Sequence, residues 1–143
     1  MDTLKAREFY EQFLNALYVD QNVERLDEFC APDLISHSVP PELPRGVAGL
    51  KVMARAWMDA FSDSRYTIET FIHDQGQVAS RMTVSVVHSG PFLGIPATGR
   101  RVEVVSHPHL RIENGKIVEI WHSSDMLPLM HQLGALPAPA RAA

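Results

Sequence analysis

Residues 100–125 read RRVEVVSHPHLRIENGKIVEIWHSSD, and this stretch decides the fold. Its first half, led into by a Gly/Pro-rich loop, reads as a long strand over 100–113. Asn114-Gly115 follows at once. Both residues of a tight two-residue hairpin need positive φ, and Asn-Gly supplies that most cheaply. The chain therefore turns back into a strand over 116–123, and a short amphipathic helix is expected over 126–133.

Working outward, residues 77–88 carry Val78, Met82, Val84 and Val86 on one face of a second strand. Asp74-Gln75-Gly76 turns the chain into it from a β-rich run at 65–73, and a Gly/Pro-rich loop at 89–99 leads out. Upstream the period changes from two to 3.6. Ala6, Phe9, Tyr10, Phe13, Leu14, Leu17 and Tyr18 form one stripe of a first helix, with Asp2 or Thr3 as its cap. Asn22 can cap a short helix that Pro32 ends, and residues 33–39 read as a short strand. The Pro-rich loop 40–46 precedes a third helix from about Gly49 to Phe61, with Leu50, Met53, Ala54, Trp57 and Phe61 on one face. Helices followed by a curled antiparallel sheet make an α+β layout: a cone with an apolar inside and one open mouth.

The chain has 143 residues, enough for one domain with a self-sufficient core. We expect that domain over 1–134 and a loose Ala/Pro-rich tail over 135–143. Formal net charge is −4, and the basic residues are scattered apart from Arg100-Arg101, so nucleic acid is not an expected partner. No apolar run approaches the ~20 residues of a membrane span. The N-terminus is charged and helical, unlike a signal peptide, and the single Cys30 has no intrachain partner. A cytoplasmic location is the expectation.

Residues 81–100, RMTVSVVHSGPFLGIPATGR, resemble the central signature of the SnoaL-like polyketide and ester cyclases. Residues 111–121, RIENGKIVEIW, then Asp125 and Gln132-Leu133-Gly134, extend the resemblance, as do Phe61-Ser62-Asp63 and the Gly46–Gly49 region. The chain departs from the family's habit at Val86-Val87 and Pro96-Ala97. The resemblance implies the nuclear-transport-factor-2-like cone. It also implies cofactor-independent acid/base chemistry on a hydrophobic carbonyl compound such as a polyketide, by aldol cyclisation or isomerisation. Asp125 is then the general acid/base. It is also a natural N-cap for the last helix, although Ser123 or Ser124 could serve instead.

Histidine 88 ends a strand where the family places a cavity histidine, and could polarise a carbonyl or orient Asp125. His37 and His107 are further members of that polar cluster. Trp121, Trp57, Tyr18, Phe61, Phe92 and Met53 are expected to line the cavity against a flat ligand. His107-Pro108-His109 has a metal-ligand spacing, but Pro108 should force a bulge or an edge, and no Cys or Glu completes a set; no metal is expected. An epoxide or lactone hydrolase would pair Arg81 with Asp125 and draw a second acid from Glu119, while a plain ligand binder would use the same cone without turnover. Even-numbered Val118 and Ile120 should make the outer sheet face apolar, which favours a homodimer packed sheet to sheet.

Overall fold

The computed structural model describes residues 1–137; of the tail expected at 135–143, positions 138–143 lie outside the described residues. Helix α1 spans Thr3–Leu14, and the Asp2 carboxylate accepts the Lys5 N–H at 2.8 Å, as a cap should. The helical stripe continues to Val19, but through one wide π-type turn, Asn15–Val19. A 3₁₀ turn at Val23–Arg25, capped by Asn22, runs into the single-turn helix α2, Leu26–Phe29. Strand β1 follows immediately as Cys30–Ser36, earlier than the expected 33–39. Pro32 lies inside it rather than ending a helix, and it stands at the sheet's edge, where a missing N–H is harmless.

Helix α3 is Val47–Ala60. Strand β2, Phe61–Asp74, starts with no intervening loop; its register slips between Ser62 and Arg65, where Asp63 takes φ 47°. Strands β3 (Gln77–His88), β4 (Arg101–Glu113) and β5 (Lys116–Ser124) and helix α4 (Met126–Gln132) fall within a residue of expectation. Both hairpin turns are of the expected kind, with positive φ at Gln75-Gly76 and Asn114-Gly115.

The five strands form one curved, open sheet in the order β1-β5-β4-β3-β2, antiparallel except for β1 beside β5. Its inner face carries Val78, Met82, Val84, Val86, Val102, Val104, Leu110 and Ile120, packed with Ala6, Tyr10, Phe13 and Leu14 of α1. Burial pushes the Tyr10 phenol up to about 12, consistent with its place in that core. Among the described residues no helix is long and apolar enough to cross a membrane.

Two local expectations fail. Pro108 makes neither a bulge nor an edge: it is buried in the central strand β4, and pairing with β3 keeps one register on both sides (Met82 opposite Ser106, Ala79 opposite His109). Ile120 does not face outward. The β4–β5 ladder slips at Val118, with Ile112 opposite Ile117 but Arg111 opposite Glu119, so Ile117 and Ile120 both turn into the core. The outer face of β5 bears Glu119, Trp121 and Ser123 instead of an apolar row.

Candidate active site

Histidine 88 is the last inward-facing residue of β3, fully buried at the end of a row of valines. The Thr98 backbone N–H donates to its Nδ1 at 3.2 Å, and the Thr98 hydroxyl lies 3.0 Å from the same nitrogen. That hydroxyl accepts the Arg100 N–H, so its own proton is free for the ring. Nδ1 is therefore an acceptor, the ring is neutral, and its proton sits on Nε2. Nε2 is buried and has no partner among the described residues. A lone buried donor costs about 1–3 kcal/mol and calls for an explanation.

The rings around it are those the sequence singled out. Phe61 lies 5.5 Å from His88 between ring centres, Trp57 lies 4.3 Å from Phe61, and Phe92 meets both at 5.0 and 5.9 Å. Trp57 Nε1 is a second buried donor without a partner among the described residues. The chain holds this cluster shut from behind, since the amides of Ser89 and Gly90 both donate to the Ala60 carbonyl. Tyr18 and Met53 stand apart from it. Tyr18 faces Tyr66 at 6.2 Å, with its phenol raised by burial, and Met53 is 40% exposed on α3.

Asp125 heads α4 but does not cap it: its carboxylate makes no cap hydrogen bond, and only its backbone N–H is fixed, to the Val105 carbonyl at 2.9 Å. The side chain is exposed. The far end of α4 is tied to β4 by Arg100, whose guanidinium donates to the Gln132 carbonyl while its own carbonyl accepts the His88 N–H. The seven residues of α4, about 10 Å, separate Asp125 from that tie.

Three inward polar residues stand beside Asp125. Ser106 and Ser124 face each other with oxygens 2.9 Å apart, and His122 Nε2 lies 3.4 Å from Ser124. Burial, and then the neighbouring His107, hold the His122 imidazole below its ordinary value. His122 was not among the residues singled out from sequence. The available signal was its even spacing from Ser124 and Ile120.

The structure gathers the other histidines elsewhere. Trp121 lies on the outer face, stacked between His37 at 4.8 Å and His109 at 4.6 Å. His37 bonds Glu119, which also pairs with Arg111; these bonds, His37's first, hold the Glu119 carboxyl below its usual range. His109 is taken up by Gln77. His37, His107, Trp121 and His122 wall an open depression of about 200 Å³. Arg81 is exposed and donates to Thr70. The Arg81, Glu119 and Asp125 set of a hydrolase is not brought together.

A model of the SnoaL-like polyketide cyclase family matches residues 5–133. The chain superposes on TsrD of Streptomyces laurentii with TM-score 0.85 and 32% identity, covering 95% of this chain and 99% of that one. For IdmH of Streptomyces antibioticus, "a putative polyketide cyclase", the values are 0.77 and 29%, over 90% and 97%. For AclR of Streptomyces galilaeus, "a putative hydroxylase", they are 0.85 and 25%, over 98% and 87%. A search of curated proteins finds no match.

Proposed function

Because the chain belongs to the SnoaL-like polyketide cyclase family, we propose that it is a cofactor-independent cyclase or isomerase of a hydrophobic, multi-ring carbonyl compound. The observation that carries this is the unpartnered Nε2–H of His88 among Phe61, Trp57 and Phe92. An N–H held ready in an apolar, water-poor wall suits an oxygen on which negative charge develops.

The reaction asks little else. A carbon between two carbonyls is already acidic, so one carboxylate suffices as base once a bound substrate has displaced water from it. Asp125 takes that role, because no cap hydrogen bond occupies its carboxylate. Its proton goes on to the new alkoxide or to the enolate carbon, while His88 Nε2–H bonds the ketone oxygen.

The test is deuterium uptake from D2O at the carbon between the carbonyls of a polycyclic aromatic β-keto ester, followed by mass spectrometry. Uptake faster than in buffer, lost in Asp125→Asn and cut at least about a hundredfold in His88→Phe, supports the reading. Saturable binding of the ester with no uptake would make the protein a binder instead.

A further inference from the structure

Along β4 and β5 the inner face is apolar except at one level. Val102, Val104, Leu110 and Ile120 are closed off from solvent, yet Ser106, Ser124 and His122 share their face. Ser106 is 3% exposed, and its oxygen is 2.9 Å from that of Ser124, which lies 3.4 Å from His122 Nε2. Two hydroxyls here satisfy each other, but nothing in the packing calls for them where alanine would serve.

The place of His122 in the fold gives the row a direction. β1 pairs with β5 as far as Ser36 opposite Ile120, and the His37 amide adds one bond to the Ile120 carbonyl. There the chain turns away, and the Ser38 hydroxyl clasps the His122 backbone by donating to its carbonyl and accepting its N–H. From residue 122 onward β5 is an edge. One flank of the imidazole meets the inner hydroxyls, and the other walls the open depression with His37, His107 and Ser123. At the inner end, Ser106 adjoins Val105, whose carbonyl holds the Asp125 amide.

We propose that Ser106, Ser124 and His122 form a proton path between the inner sheet face and water in the outer depression, used once a bound substrate has displaced water from the otherwise exposed Asp125 carboxylate. The path rests on the acid/base reading above. Ser106 passes its proton to Ser124 as it receives one from the site. Ser124 passes its own to Nε2, the imidazolium turns so that Nε2–H faces the depression and releases that proton to water, and the neutral ring, its Nδ1–H never lost, turns back. Each oxygen gains one proton and loses one. The titratable groups around His122 are His107 from β4, His37 with its partner Glu119 across the depression, and Asp125 beyond Ser124. His107 and burial both disfavour a resting imidazolium, which keeps Nε2 an acceptor.

Deuterium uptake into the same β-keto ester, in wild type, Ser124→Ala, Ser106→Ala and His122→Ala of verified fold, tests the path. Each variant should slow uptake about tenfold or more. Added imidazole should restore His122→Ala but not the serine variants. The wild-type rate should fall with pH as His122 becomes charged, and that limb should vanish in His122→Ala. Uptake at the wild-type rate in the variants, with Asp125→Asn alone inactive, overturns the path and leaves the acid/base reading standing. A slow His122→Ala that imidazole does not restore also overturns it. No uptake by wild type removes the reading and the path together.

Discussion

The Thr98 amide donates to Nδ1 of His88 across 3.2 Å, and this bond decides which nitrogen of a buried ring bears the proton. The Thr98 hydroxyl is secondary to it. Thr98→Ala should therefore keep deuterium uptake within about threefold of wild type, whereas Thr98→Pro, which deletes the N–H, should lose most of it with His88 still in place. Equal rates in the two variants would show that the amide does not set the tautomer.

Asp125 stands at a cap position without capping. Where a cap bond exists, alanine costs about 1 kcal/mol. Here Asp125→Asn and Asp125→Ala should both melt with wild type, within about 0.5 kcal/mol, and both should lose uptake. A clearly lower melting temperature for alanine alone would assign the carboxylate to the helix.

The lowered basicity of His122 has a consequence for stability. An unfolded histidine takes up its proton near pH 6.5, and folded His122 does so only at lower pH. Above both values neither state is charged and nothing is lost. As pH falls below about 6.5 the unfolded chain binds the proton first, so stability declines until the folded value is passed. Urea midpoints between about pH 7.5 and 5.5 should fall more steeply for wild type than for His122→Asn.

At Gly90 a side chain has no room, because a Cβ would collide with the Asp59 carbonyl oxygen, and the backbone amide is already bonded to Ala60. Gly90→Ala should cost more than about 2 kcal/mol by chemical denaturation and displace the loop that carries Thr98. Gly94, with open space around it and φ of 79°, should tolerate alanine at about 1 kcal/mol. A reversed order would refute the steric account.

Much of this was legible in the chain. Alternation along 77–88 puts His88 on the same face as Val84 and Val86, and Asn114-Gly115 fixes the hairpin that aligns β4 with β5. The grouping of Phe61, Trp57 and Phe92 around His88 follows from their positions at element ends facing one another. What was hidden is local phase. Ile117, Val118 and Ile120 offer three apolar side chains for two inward places, and nothing in their chemistry says which one the ladder skips. That ambiguity moved Trp121 to the outer face in the structure and concealed His122. Pro108 misled for a related reason: a missing N–H is costly only where the ladder would use it.

The slip at Val118 works as a phase setter for everything downstream of it. Positions 119–125 owe their inward or outward aspect to a count that starts at the bulge, not at the hairpin. His122, Ser124 and the outward Trp121 thus travel as a block with that single extra residue. Pairing Val118 with Arg111 as an ordinary ladder residue would exchange the two faces of β5 beyond it, presenting Trp121 to the core and the imidazole to solvent, whereas deleting Val118 would leave the faces as they are. A graft of this strand into a relative must either keep Val118 as a bulge or omit it, because a Val118 drawn into the regular ladder delivers the right residues to the wrong side.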